Sequence, residues 1–185
     1  MSDETRETPL GSLPELYFDM LWNIDASTRI MIARLPTMAS DASDGDLATL
    51  LRDCLGSSSH HHAELETILA RFDKPARVHA AELETLVGTA TQQLSEWEPG
   101  EPKDVALCAV VRTAIHTTLP VCEIAMNLAA VLGYDTQIEA LASLRQDLLS
   151  KDATLVSICR GLIDAHSVWT ETHRAVRSTP HDARL

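Results

Sequence analysis

The chain reads as an all-α protein: four long helices in a bundle, with a short extra helix in the crossover between the second and third of them. Three observations carry this reading. Apolar residues recur at steps of three and four through most of the sequence, the period of one helix face. Gly (7), Pro (8) and aromatics (4%) are all scarce, whereas an all-β chain with many turns needs more of each. The breaks between periodic segments are short at 41–45 and 133–135 and long only at 73–102, so the helices fall into two hairpins joined by one crossover.

Residues 1–12 are polar and read as a flexible tail ahead of a bundle spanning 13–175. The first helix, 13–40, carries Leu13, Tyr17, Leu21, Ile24, Thr28, Met31, Leu35 and Met38 on one stripe. Pro36 is expected to kink or shorten its last turn, because proline removes a backbone donor. Ser43 or Asp44 is the expected N-cap of the second helix. That helix runs about 45–72, with Leu47, Leu51, Cys54, Ser58, His61, Leu65 and Phe72 in register, and ends at Asp73-Lys74-Pro75. A shorter helix, about 80–97, carries Leu83, Val87 and Leu94. Pro99, Gly100 and Pro102 then make a loop. The third long helix, about 103–132, carries Val105, Cys108, Val111, Ile115, Cys122 and Ala129. Pro120 frees the His116 carbonyl and predicts a kink or π-type irregularity. Gly133 is a natural left-handed C-cap. The last helix, about 135–175, carries Ile138, Leu141, Leu144, Leu148, Leu155, Leu162, His166 and Trp169, and residues 176–185 read as a second tail. One long crossover in the middle of a four-helix bundle is the ferritin-like topology.

The 185 residues suffice for one domain with a sizeable core. Fifteen bases against 27 acids give a net charge of −12, which disfavours nucleic acid and anionic membrane as partners. No run of eighteen apolar residues argues for a membrane span, and the polar, charged N-terminus is no secretory signal. The expected location is the cytoplasm. Cys54, Cys108, Cys122 and Cys159 are scattered along apolar stripes without metal spacing, and read as small core residues. Cys108 and Cys122 lie about 21 Å apart on one helix and cannot bond each other. Glu82, Glu84, Glu96, Glu98 and Glu101 read as a solvated face. Trp22, Trp97 and Trp169 read as core or dimer-interface anchors.

Each long helix breaks its apolar stripe near the middle: Thr28, then Ser58 and His61, then Thr118, then Asp147 with Lys151 and Asp152. At this depth ferritin-like carboxylate proteins hold two metals with about four carboxylates and two imidazoles. This layer offers too few anions, and Glu-x-x-His pairs are missing from all four helices. His62 and Glu66, four apart on one helix face, are a further metal candidate. With His116, His166 and His173 they suggest a hemerythrin-like site, which needs more such pairs than the chain contains. His60, His61 and His62 are read as a solvated or interface segment. No nucleophile elbow and no phosphate-binding Gly-rich loop is present.

The stretch from Leu16 to Ala26, followed by Ala33-Arg-Leu-Pro-Thr-Met38, resembles the opening of the YciF/YciE-like ferritin-like family. Leu65-Glu66, Lys74-Pro75, Asp104-Val-Ala-Leu107, His116, Leu132-Gly133-Tyr134-Asp135 and Leu144 follow in the same order, over roughly residues 13–165. The resemblance implies a ferritin-like bundle, often dimeric, from a bacterial stress-associated family. It also implies that the metal ligands are largely replaced. The family's first-helix Glu falls on Thr28, its second-helix pair on Gly56 and Ser59, and its third-helix carboxylates on Ile115 and Thr118, with His116 retained. Its fourth-helix cluster keeps Asp147 but has Lys151 in place of an Asp. The expectation is therefore a non-enzymatic bundle without a cofactor, acting through a homodimer or a protein partner. The alternative is an iron or manganese oxidase or storage protein using Asp147, His116, His62 and Glu66. A third reading is a His-rich metal sensor around His60–His62.

Overall fold

The computed structural model describes residues 11–72 and 80–177, with side chains to residue 165. The tails outside 11–177 and the Asp73-Lys74-Pro75 break lie outside the described residues, as do the side chains of His166, Trp169 and His173. Five helices are present: α1 (Leu13–Asp41), α2 (Gly45–Leu69), α3 (Ala81–Ser95), α4 (Glu101–Leu132) and α5 (Asp135–Arg177). No strand occurs among the described residues.

Local chemistry explains most of the helix boundaries. Ser12, expected to lie in the tail, instead caps α1. Its side chain accepts from the Glu15 N–H, while the Glu15 carboxylate accepts from the Gly11 N–H at 2.9 Å, close to a capping box. Of the two cap candidates for α2, Asp44 is used, its Oδ1 2.8 Å from the Leu47 nitrogen. Gly133 ends α4 at φ 75°, a conformation that costs L-residues bearing a Cβ.

Neither proline ends or interrupts its helix. α1 continues through Pro36 to Asp41, and α4 is unbroken α-helix through Pro120, without a π turn. Both prolines face solvent, so water satisfies the carbonyls they free and the backbone has no buried orphan to relieve.

The four long helices form the bundle. α1 packs on α2 and α4, and α5 packs on α4 and α2. The short turns make α1–α2 and α4–α5 antiparallel hairpins. Asp104, at the start of α4, binds Ser43 and Asp44 beside the end of α1. α2 and α4 therefore run in the same direction, and α3 spans the crossover, lying against α1 and α4. This up-down-down-up order with one long connection is the ferritin-like arrangement predicted from the spacing.

The core has two lobes. One gathers Leu35, Met38, Leu47, Leu51, Val87, Leu107, Val111 and Leu155, under α3. The other gathers Tyr17, Leu21, Ile24, Leu65, Cys122, Leu141 and Leu144. Both tyrosines and both phenylalanines of the chain meet at the end of the second lobe. Tyr17 lies 5.7 Å from Phe18 and 5.3 Å from Tyr134, and Phe18 lies 4.0 Å from Phe72. Trp22 packs partly buried against this lobe, whereas Trp97 is half exposed.

By length and composition α4 is apolar enough to cross a membrane, and half of that stretch is buried in the bundle. Its packing against α1, α3 and α5 accounts for that apolarity as a core helix.

Cys54, Cys108 and Cys122 are buried, and Cys159 is partly so. Burial pushes the Cys54 thiol up to about 11, and those of Cys108 and Cys122 to about 12. The thiolate is the reactive form. In the folded protein one thiol, Cys159, is therefore expected to react with an aromatic disulfide reagent within minutes. The other three should react only after denaturant is added, and a count of four fast thiols under native conditions would contradict this packing.

Candidate functional site

The waist of the bundle holds the polar residues that interrupt the four stripes. Thr28 on α1 and Thr118 on α4 are buried. Their hydroxyls donate to the carbonyls of Ile24 and Ala114, four residues back, at 2.8 and 2.9 Å. Both side chains are thereby satisfied within their own helices. Ile115, at a position where the resemblance implies a carboxylate, is a buried core residue.

The charged residues of this region form three separate groups. The first joins α2 and α5. His61 is buried, with Nδ1 3.3 Å from Glu64 Oε2 and Nε2 3.8 Å from Asp147 Oδ2. Lys151 Nζ lies 3.9 Å from the other oxygen of Asp147. The second group joins α1 and α2. Asp25, only 2% exposed, lies 2.7 Å from His62 Nδ1, and Glu66 lies 3.5 Å from Nε2 of the same ring. The third joins α4 and α5. Arg112 reaches both oxygens of Asp152, at 2.7 and 3.4 Å, and His116 Nε2 is 3.1 Å from the first. Hydrogen bonding from Arg112 holds the Asp152 carboxyl below the usual carboxylate range.

The segment read as solvated or at an interface is thus divided by helix geometry, with one of its three rings inside the bundle. His60 is exposed, His61 faces the core, and His62 covers the buried Asp25. Of the candidate metal residues, His62 and Glu66 do share a face of α2, but the other acid beside them, Asp25, lies at the opposite nitrogen of the His62 ring. Asp147 and His116 belong to different groups with different partners. Among the described residues no three His, Cys, Asp or Glu side chains converge where a metal ion would sit.

The residues present do not fit a di-metal centre. Such a centre needs carboxylates converging on one point. Here both nitrogens of His61 and of His62 face carboxylates on opposite edges of the ring, an arrangement that spreads the acids apart. Asp147 faces an ammonium, whose charge opposes a second cation.

Asp25, Arg112, Lys103 and Asp104 carry much of this electrostatic organisation and were not singled out by the stripes. Asp25 lies three residues before Thr28 on the same face, which was the available signal. Its partner is 37 residues away, on another helix, and no spacing rule reveals that.

An all-helical bundle with one long crossover and a polar, self-neutralised waist defines the class. The family model described as a domain of unknown function, DUF892, matches residues 12–167, and the chain belongs to that family. Two solved structures share the fold. YciF, an Escherichia coli stress protein, is 15% identical at a TM-score of 0.75, over 84% of this chain and 99% of its own. YcfI from Rhodopseudomonas palustris, for which a structural role has been put forward, is 18% identical at a TM-score of 0.73, over 81% of this chain and 96% of its own. No curated protein matches the sequence significantly. The YciF-like resemblance read from the motifs is borne out.

Proposed function

We propose that this protein is a non-enzymatic, YciF-like helical bundle of the cytoplasm, associated with stress, that has lost the di-metal centre and acts through self-association or a protein partner. The observation that carries the reading is Lys151 beside Asp147 in the waist. A fixed ammonium stands where a carboxylate centre would need a further anion. The other inward acids are likewise matched by the chain's own His62 and Arg112.

Self-association has support on α4. Ile124 and Val131, seven residues apart on one face, are 47% and 73% exposed, and half-buried Val121 and Leu128 continue the stripe between and beside them. An uncharged helix face of this kind is suited to a second apolar surface. The description of YcfI as structural agrees with a role without turnover, and that of YciF as a stress protein with the association with stress.

Elemental analysis after expression in iron- and manganese-rich medium tests the reading. The expected metal content is far below one ion per chain. About two irons or manganese ions per chain would instead establish the oxidase or storage alternative. Tight zinc binding abolished by His62→Ala would establish the sensor.

A further inference from the structure

We propose that the groove between α1 and α3 binds a small organic oxyanion, a phosphate monoester or a carboxylate, through Arg34. Nothing in the waist or in the proposed self-association involves this groove.

The argument begins with charge. The chain has 27 acids and 15 bases, so a base without an acid beside it is the unusual case. Among the described residues, the other Lys and Arg that are buried or half-buried lie against carboxylates: Lys103 on Asp41, Arg112 on Asp152, Arg145 on Glu123 and Lys151 on Asp147. Arg34 is half buried and makes no hydrogen bond or ion pair with any described residue. A guanidinium has five N–H donors in a planar fork, and withdrawing it from water without acceptors is costly.

Its position is also built. The guanidinium lies on the backbone of α3 at Gly88, where a Cβ would stand 3.1 Å from Nη2 and 3.6 Å from Cζ. An alanine at 88 would press the fork outward by a few tenths of an ångström, and a bulkier side chain would press it further. Glycine in a helix interior costs about 1 kcal/mol against alanine, and here it creates the cradle for Arg34.

The surrounding groove has a volume of about 470 Å³, within the range of small-molecule sites and larger than an inorganic anion. Thr37 of α1 and Thr89 and Gln92 of α3 line it beside Arg34. Their side chains make no hydrogen bond with described residues, whereas the Thr85 and Thr91 hydroxyls donate to their own helix carbonyls. One fork-shaped cation with several available hydroxyl and amide donors is the chemistry that recognises paired oxygens. Glu84, also on the lining, opposes an anion and sets the affinity low.

The test is an NMR titration of the ¹⁵N-labelled full chain, following the arginine Nε–Hε resonances at constant ionic strength in chloride. Inorganic phosphate and acetate are the two probes. The Arg34 resonance is expected to move saturably with at least one of them, at a Kd of about 1 mM. Phosphate alone would assign the phosphoryl class, and acetate alone the carboxyl class. Arg34→Lys keeps the charge but not the fork and should weaken binding about tenfold. Glu84→Gln should tighten it roughly threefold. The proposal is overturned if the Arg34 resonance moves with neither probe beyond those of the exposed Arg29 and Arg52. It is also overturned if a folded Gly88→Leu variant, whose side chain would occupy the seat of the fork, binds as the wild type does. The wild-type titration decides even if a variant fails to fold.

Discussion

Replacing Asp104 with alanine is expected to destabilise the protein by about 3 kcal/mol, although Asp104 is far from the waist. Its side chain is 1% exposed, and its two oxygens accept from the Ser43 and Asp44 N–H groups at 2.9 and 2.8 Å. These are the amides of the α1–α2 turn. A charged acceptor contributes about 1.5–3 kcal/mol per bond, and losing it leaves two part-buried donors without a partner. The neighbouring Lys103, 4% exposed, holds Asp41 at 3.2 Å across the same junction. The start of α4 thus clamps the first hairpin, which fixes the crossover's landing point. Thermal unfolding by circular dichroism should show a fall in Tm of roughly 6–12 °C. Asp104→Asn retains one acceptor oxygen and should fall between. A Tm within a degree or two of wild type for the alanine variant would refute the clamp.

At the opposite end, Tyr17→Ala should cost about 3–5 kcal/mol, the range for removing a buried aromatic and leaving a cavity. Tyr17 is fully buried in the four-ring cluster. Its hydroxyl donates to the buried Gln137 at the start of α5, and burial also raises the pKa of the phenol. Tyr17→Phe keeps the ring but orphans the Gln137 carbonyl, so its expected cost is smaller, about 1–3 kcal/mol. Chemical denaturation of both variants separates the two contributions. Equal losses would mean that the hydrogen bond alone matters and the ring packing does not, contrary to the geometry.

These two residues show how unevenly the sequence discloses its own structure. Tyr17 is visible as a core position because it falls on the apolar period of α1. Its bond to Gln137 spans 120 residues and leaves no periodic trace. Asp104 is visible only as part of the Asp-Val-Ala-Leu motif shared with the family, and its role depends on a turn 60 residues earlier. Pro36 and Pro120 show the limit of a local rule from the other side. Each removes a backbone donor, but its solvent-facing position lets water take the freed carbonyl and the helix runs on.

The candidate site divides in the same way. The shortage of inward carboxylates is legible from the stripes, because helix period alone decides which residues face inward. How the remaining charges are matched is not. His60, His61 and His62 are adjacent in sequence, yet a turn of about 100° per residue sends one to solvent, one to Asp147 and one to Asp25.

By itself, the sequence determined the all-helical class, the five elements, the single crossover and the small number of carboxylates on the inward stripes. All of these follow from a local period and from residue identity. Only the tertiary structure decided the pairing of Asp25 with His62 and of Asp104 with the first turn, and the seating of Arg34 on Gly88. Those depend on which helices become neighbours, and that is settled by packing across the whole chain.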